Sequence, residues 1–258
     1  MQLRQDIERM FQSGIDLGEK IVAKADCLTA SDNEEFVYKA SMFFFFCKAY
    51  KSYQAIRLLF REGFPEDAFI LTRSIFEISL QGQFMREDPK PRARLFTEHD
   101  PVMRYRYYEK LKKLGDTLLV PAIEGRKNEL SELKQHYDRL KGKYPVGSNW
   151  WGNSIAWLAK HLGKNMEMRY AAIYWMQCNL SHSGAPSVKD YMDEQKAGLK
   201  VNCYPNPFND VMVPQEATLF FLSVAQLAAE ALELDLSNDV DKAWKEFRNV
   251  VETVRSAN

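Results

Sequence analysis

The sequence predicts an all-α protein, a helical bundle of about eight to nine helices with an irregular excursion near residues 183–214. Apolar side chains recur at helical spacing over most of the chain. Glycine is scarce, with 12 in 258 residues. The dinucleotide, phosphate-loop, serine-hydrolase and zinc-protease motifs GxGxxG, GxxxxGK[ST], GxSxG and HExxH do not occur. These observations favour a bundle over an α/β enzyme.

Caps and breaking residues divide the first half of the chain into separate helices. The predicted helices of the whole chain cover about residues 2–26, Asn33–Glu62, Glu66–Arg86, 92–140, Ser154–Leu162, Glu167–Ser181, Gln215–Leu234 and Asn238–Arg255. Asp32 closes a Thr-Ala-Ser-Asp segment and predicts the N-cap of the second helix. Gly63 ends that helix, and Pro65 fits the first turn of the third helix. The Asp-Pro-Lys-Pro segment at 88–91 ends the third.

Breaks in the second half are weaker, apart from one loop. Pro101 and Pro121 predict kinks or restarts within the charged helical segment 92–140. Residues 141–153 combine Gly, Pro, Ser and Asn and give the strongest loop signal. Four prolines and two glycines make 183–214 irregular, with a short strand pair expected near Leu199–Tyr204. We interpret residues 1–258 as a single domain that ends in a helix pair at 215–256.

The charge of the chain is balanced in total but uneven along its length. Thirty-five Lys and Arg residues face 35 Asp and Glu residues, and 46% of residues are hydrophobic. This composition excludes a histone-like or disordered polyelectrolyte chain. Residues 103–143 hold eleven cations against six carboxylates, whereas 205–258 hold four against nine. The sequence therefore predicts local rather than general contact with a polyanion.

The cysteines and the N-terminus predict a cytoplasmic protein without a membrane partner. Cys27, Cys47, Cys178 and Cys203 are widely spaced and form no CxxC motif, so we expect reduced thiols rather than a disulfide framework. The N-terminal residues carry charges where a signal peptide needs an apolar stretch. The most apolar run, residues 42–47, is far shorter than the roughly 20 residues that span a bilayer.

Two charges interrupt an otherwise apolar stretch of the third helix. Arg73 and Glu77 are four residues apart and share a face with Phe69, Ile70 and Phe76. Arg before Glu is the weaker order for a pair within one helix, so we expect one of them to reach another helix or a ligand. A structural ion pair that fixes the helix register is one interpretation. An arginine that binds an anion or phosphate, held in place by Glu77, is the other.

A second polar stripe follows in the helix predicted at 167–181. Tyr174, Cys178 and His182 recur at four-residue steps, and Ser181 lies beside them. His182 falls near the predicted helix end, which makes it a candidate general acid or base as well as a candidate capping residue. Cys178 and His182 have the spacing of two zinc ligands, but no further ligand lies at a supporting spacing. We therefore predict neither a metal site nor a cofactor.

Residues 104–113 interleave cations with aromatic rings. Arg104 and Arg106 alternate with tyrosines and precede several lysines. Such a patch can hold phosphates and stack bases, and it makes both arginines candidate ligand-binding residues. The alternative is a solvated helix face whose tyrosines lie at the edge of the core.

Three segments together resemble a family of bacterial helical proteins of unknown function, DUF5677. They are ILTRSIFEISLQGQFM at 70–85, NWWGNSIAWLAKHLG at 149–163 and YAAIYWMQCNLSHSG at 170–184. The resemblance covers about residues 35–190 and implies a bundle in which Arg73, Glu77, Tyr174 and His182 meet. The family more often has Ser at the position of Cys178, which puts a hydroxyl nucleophile there in doubt.

The family is in turn distantly similar to HEPN domains, whose nucleases use an Arg and a His near one helix end. Arg94 and His99 match that string literally, with His99 expected at a helix end, although so short a string arises easily by chance.

Two functional hypotheses follow. The first is a module whose polar site, Arg73 and Glu77 with Tyr174 and His182, binds an anionic ligand or RNA. The second is a HEPN-like, metal-independent ribonuclease in which Arg73 stabilises charge and His182 moves a proton. A homo-oligomer is a further expectation if Trp150 and Trp151 prove exposed.

Overall fold

The computed structural model describes residues 2–25, 30–174, 178, 184–185, 188–195, 198–201, 204–205 and 211–257. The helices are α1 (Gln2–Ala25), α2 (Asn33–Glu62), α3 (Pro65–Glu87), α4 (Pro89–Lys113), α5 (Leu119–Glu124), α6 (Lys127–Leu140), α7 (Ile155–His161), α8 (Lys164–Arg169), α9 (Val188–Tyr191), α10 (Met212–Ala231) and α11 (Ser237–Ala257). A π-helical turn at Tyr170–Tyr174 follows α8. The predicted all-α fold is confirmed.

The core lies where α2, α3 and α10 pack against one another, and α1 with α11 forms a second layer against α10. Phenylalanine fills much of this core, including Phe46, Phe76, Phe220 and Phe221. The apolar run in α2 is therefore a core segment, as its length indicates, although Phe44 faces solvent. No helix within the described ranges is both long enough and apolar enough to cross a membrane.

Local capping explains why α2 begins and ends where the sequence predicts. The Asp32 side chain accepts a hydrogen bond from the Glu35 amide at 2.7 Å, which satisfies one open N–H at the start of α2. Gly63 ends the helix in the left-handed region, with φ of 82°, and its N–H returns to the Leu59 carbonyl. Pro65 then begins α3.

The charged helical segment predicted over 92–140 consists of three helices. The first break does not occur at Pro101, where a kink or restart is predicted. Pro101 lies inside α4, which continues to Lys113. Fully buried Val102 packs against Leu140 and Tyr144, and this packing holds the chain helical beside the proline. The helix ends instead before Gly115, whose φ is 71°. Pro121 lies in the first turn of α5, as a restart requires.

In the last part of the family-like region the helical elements are shorter and more irregular than predicted. The helix predicted over Glu167–Ser181 begins as α8 and passes into the π-helical turn, and Cys178 is again helical. Residues 192–195 and 198–201 pair as a two-stranded antiparallel hairpin in which Met192 faces Val201. The strand pair expected near Leu199–Tyr204 thus lies several residues earlier.

A close approach between α1 and α2 depends on two glycines. A Cβ atom at Gly18 would overlap the Tyr50 ring, with Cδ2 at 2.7 Å and Cζ at 2.8 Å. At Gly14 it would lie 2.8 Å from the Tyr53 hydroxyl. Tyr50 cannot easily move away, because its ring stacks on Phe46 and its hydroxyl donates to the Ile15 carbonyl at 3.3 Å.

Replacing Gly18 with alanine should lower the free energy of unfolding by about 1–3 kcal/mol, because the added methyl group overpacks the interface. In a helix without such a contact the same change raises stability by about 1 kcal/mol, so the sign is diagnostic. Urea unfolding followed by circular dichroism measures it. Gly142→Ala is the control, since a Cβ there meets nothing within 4 Å. A more stable Gly18→Ala protein would contradict the close approach.

Candidate functional site

Arg73 joins two parts of the chain that are far apart in sequence. Its Nε donates to Glu77 Oε1 at 2.9 Å within α3. Its Nη2 donates to the Tyr174 hydroxyl at 2.7 Å, and its Cζ lies 4.4 Å from the centroid of the same ring. The expectation that one of the two charges reaches beyond its helix is therefore confirmed for Arg73.

The guanidinium of Arg73 has hydrogen-bond donors that no described residue accepts. It carries five N–H groups, of which Glu77 and Tyr174 take one each. Across the described ranges no further hydrogen bond from Arg73 exists, so both hydrogens on Nη1 and one on Nη2 remain. These remaining N–H groups are donors of the kind that bind a phosphate or carboxylate through charge-assisted hydrogen bonds.

Electrostatics keep Arg73 charged and Tyr174 protonated. Burial lowers the pKa of Arg73, but hydrogen bonding and charge attraction from Glu77 outweigh it, and the net shift is upward. Burial, with added repulsion from the Glu77 carboxylate, raises the pKa of Tyr174 to about 12. At neutral pH the Tyr174 oxygen therefore accepts from Arg73 while its own O–H remains able to donate to a ligand.

These side chains line a cavity of about 570 Å³. The other described lining residues all belong to one segment, the 146–155 loop, and are Val146, Gly147, Ser148, Asn149, Trp151, Gly152, Asn153, Ser154 and Ile155. A volume of this size falls within the range of about 300–1,000 Å³ typical of small-molecule sites. The loop predicted from its composition thus forms most of the candidate site.

A buried tryptophan fixes the 146–155 loop to α3. Trp150 is 5% exposed, and its indole N–H donates to Gln81 Oε1 at 2.9 Å. Gln81 in turn donates to the Glu77 carbonyl at 3.2 Å, and the Trp150 ring packs on Phe84 and Phe96. Exposure of both tryptophans is the condition for expecting a homo-oligomer, and Trp150 does not meet it because its ring is part of the core.

Two side chains of α4 hold the start of the same loop. His99 Nε2 lies 3.2 Å from the Ser148 carbonyl, and its ring packs edge-on against Tyr144. Arg106 donates to the Pro145 carbonyl at 3.2 Å and also to the Tyr144 carbonyl. Gly147 and Gly152 turn the loop with φ of 80° and 81°, conformations that favour glycine.

The predicted polar stripe is present as far as the structure describes it. The Tyr170 and Tyr174 rings stack with centroids 4.5 Å apart. Cys178 is half-buried and lies close enough to interact electrostatically with both Arg73 and Tyr174 and to raise the pKa of each. The candidate residues Ser181 and His182 lie outside the described residues.

The Arg94-to-His99 string does not form a site of the predicted kind. His99 lies in the middle of α4 rather than at a helix end, because Pro101 does not stop the helix. Arg94 pairs with Glu98 at 3.1 Å, and no contact within the described ranges joins it to His99. Burial lowers the pKa of His99, as expected for a structural imidazole.

Two of the three tyrosines in the basic–aromatic stretch at 104–113 are buried. The Tyr105 ring stacks on Tyr137 at 4.6 Å and is buried. Tyr108 is also buried and donates to Glu124 at 2.8 Å. Arg106 is turned toward the loop carbonyls, whereas Arg104 is exposed and lies 3.8 Å from Asp100. These tyrosines therefore follow the alternative interpretation, a helix face at the edge of the core.

The cavity residues that sequence reasoning missed are mostly those of the loop. Ser148, Asn149 and Asn153 line the cavity and carry no motif of their own, and their roles depend on where α3 and α4 place the loop. Gln81 lies outside the lining and anchors the loop through Trp150. Within the described part of the chain, no group of three or more His, Cys, Asp or Glu side chains could hold a metal ion. Cys47 and Cys178 are free thiols.

Comparison with known proteins gives one match. The model of a family described as "Family of unknown function (DUF5677)" matches residues 39–199. That range includes α3, the whole 146–155 loop and Tyr174, so all the described lining residues of the cavity fall within it. No curated protein and no solved structure matches the chain.

Acidification should destabilise the protein through His99. The folded-state pKa of His99 is lowered, so the unfolded chain binds the proton more readily. The stability that the neutral imidazole contributes is complete above pH about 6.5 and is lost as the pH falls from there through the folded-state pKa.

Urea midpoints of wild type should therefore fall more steeply between pH 7.5 and 5.5 than those of His99→Gln, whose amide can still donate to Ser148. His136→Gln, which removes an exposed imidazole from α6, is the control. Parallel profiles for wild type and His99→Gln would contradict the buried neutral imidazole.

Proposed function

The chain belongs to the DUF5677 family, whose description names no activity, and from the geometry of the site we propose that it binds a small anionic ligand. The ligand's phosphate or carboxylate lies in the cavity between Arg73, Tyr174 and the 146–155 loop. The observation that carries this proposal is that Arg73 lines the cavity and keeps three N–H donors, two on Nη1 and one on Nη2, without a described partner.

Glu77 supports this role even though it carries the opposite charge. Its carboxylate accepts from Nε, at the inner edge of the guanidinium, and so leaves both hydrogens on Nη1 without a described partner. The ion pair and the Tyr174 bond hold Arg73 in one orientation before a ligand arrives. Such preorganisation lowers the entropy that binding has to overcome.

Tyr174 supplies a second donor of different character. Because its pKa is raised to about 12, its hydroxyl stays protonated at neutral pH. The Tyr174 hydroxyl accepts from Arg73, so its own proton points away from Arg73. An anion bound to Arg73 in the same cavity can accept that proton as a hydrogen bond. Hydrogen bonds to charged groups contribute about 1.5–3 kcal/mol each, so this pair supports a specific anion site.

The same chemistry favours binding over the HEPN-like ribonuclease alternative. A general base works best with a pKa near the operating pH. Among the described side chains, Tyr174 is too weakly acidic for that role and Glu77 is bonded to Arg73, whereas His182 lies outside the described residues. Tyr105 and Tyr108 are buried, so Tyr107 is the one exposed ring of residues 104–113, which is less aromatic surface than an extended RNA track uses. A small ligand, or the end of an RNA strand, fits this site better than a long strand.

Replacing Arg73 with glutamine should weaken the binding of inorganic phosphate by about ten-fold or more, because a charge-assisted pair of hydrogen bonds is lost. Arg73→Lys should bind with intermediate affinity, since lysine keeps the charge but lacks the fork. Isothermal titration calorimetry at low salt measures both. Arg57→Gln is the matched control, because Arg57 is similarly buried and also pairs with a glutamate, Glu8 at 3.1 Å.

Wild-type protein without phosphate affinity, or equal losses in Arg73→Gln and Arg57→Gln, would refute the proposal. Incubation with labelled RNA in EDTA tests the alternative in the same preparation. Cleavage that disappears in both Arg73→Gln and His182→Ala would replace the binding function with a metal-independent ribonuclease.

A further inference from the structure

We infer that the ligand of this cavity is a nucleoside monophosphate, free or at the end of an RNA strand, with its phosphate on Arg73 and its base against Trp151. This inference rests on the proposed anion-binding function and names the class of ligand. It follows from the part of the cavity wall that the phosphate would leave unused.

The cavity offers more than an anion needs. Arg73 and Tyr174 account for two of its lining residues, and the 146–155 loop supplies most of the others. Among the described lining residues Arg73 is the one cation, and Glu77 lies beside it. This charge balance suits a ligand with a single phosphate group and disfavours polyphosphates. The loop must therefore recognise an uncharged portion of the same ligand.

Trp151 is the aromatic surface left for a flat group. Of the two aromatic rings among the described lining residues, Tyr174 is already covered by the Arg73 guanidinium and by the Tyr170 ring. Trp151 meets Trp150 edge-on, with an interplanar angle of 88°, and within the described ranges no ring or cation stacks parallel to it. Any of the nucleobases can stack on such a face, because each has a flat π surface.

The Trp151 ring is held in position before a ligand binds. Its indole N–H donates to the Ser154 carbonyl at 3.3 Å, and its neighbour Trp150 is anchored in the core through Gln81. Ser154 also caps α7 by accepting from the Trp157 amide. A stacking surface fixed in this way loses little conformational freedom on binding.

Two amide side chains of the loop supply donors and acceptors for the edge of a base. Asn149 donates from Nδ2 to the Asn153 carbonyl at 2.9 Å, which fixes its amide and leaves Oδ1 without a hydrogen bond to any described residue. The Asn153 side chain is exposed and makes no hydrogen bond within the described ranges. Both residues line the cavity. Bases in single-stranded form are recognised by this combination of stacking and edge hydrogen bonds.

A ligand series on the full-length protein separates the two subsites. Calorimetry compares inorganic phosphate, ribose 5-phosphate, AMP, UMP and adenosine on wild type and on Trp151→Leu. Wild type should bind the mononucleotides between about five-fold and about 100-fold more tightly than ribose 5-phosphate, the range expected for one stacked base. Trp151→Leu should lose that difference and keep its affinity for ribose 5-phosphate, and Trp151→Phe should retain most of it.

Trp157→Leu is the matched control, because Trp157 is a partly exposed tryptophan outside the cavity lining. Circular dichroism verifies that each variant is folded. A short RNA with a 5′-phosphate and the same RNA with a 5′-hydroxyl distinguish the source of the ligand. Tighter binding of the phosphorylated RNA than of AMP supports a strand end, and tighter binding of AMP supports a free mononucleotide.

The failures of the two proposals are distinguishable. If phosphate binds through Arg73 but the mononucleotides bind no more tightly than ribose 5-phosphate, the nucleotide inference is overturned and the anion site stands. Adenosine that binds as tightly as AMP would overturn the placement of the phosphate on Arg73. If neither phosphate nor any mononucleotide binds, both proposals fail together.

Discussion

A guanidinium group on the apolar face of a core helix has to be satisfied, and the site is built around that requirement. Arg73 belongs to α3, which packs against α2 and α10, so its charge cannot simply be left in water. Glu77, one turn further along, balances it locally, and Tyr174 satisfies it across the fold. The bond to Tyr174 ties the π-helical turn to α3. Single π-helical turns inside helices occur frequently at functional sites, and this one carries the residue that meets the arginine.

The 146–155 loop gains its shape from anchors rather than from secondary structure of its own. Trp150 packs between Phe84 and Phe96, and its indole donates a hydrogen bond to Gln81. Side chains of α4 hold the start of the loop by hydrogen bonds to the loop's carbonyl groups. These anchors lie outside the cavity and leave Trp151 and the two asparagines on its wall. Trp150 is buried because it anchors the loop in the core, whereas the adjacent Trp151 is partly exposed because it lines the cavity. A loop fixed at its start by α4 and at Trp150 by the core can present polar groups at a defined distance from Arg73, without a helix or strand beneath each one.

Local physics made part of this predictable from sequence. The bounds of α2 follow from Asp32 and Gly63, because caps act within one turn. The Arg73–Glu77 pair follows from its i,i+4 spacing. Prediction failed where tertiary contacts decide, because Pro101 stays inside α4, where Val102 is buried beside it. The sequence also leaves open whether Trp150 is exposed, and tertiary packing buries it. Its partner Gln81 is 69 residues away in sequence, and no local pattern encodes so distant a bond. The meeting of Arg73 with Tyr174 was expected through the family resemblance, not through spacing.

The claim that Arg73 and the 146–155 loop form one ligand site is tested most directly by NMR. The Arg73 Nε–Hε resonance, assigned by its absence from Arg73→Lys, and the backbone amide resonances of Gly147 and Gly152 report on two walls of the cavity, one from α3 and one from the loop. During a titration with AMP, we expect all three to move along a single saturation curve with one dissociation constant. Movement of the arginine resonance without the glycine amides, or saturation of the two walls at different concentrations, would contradict a shared site.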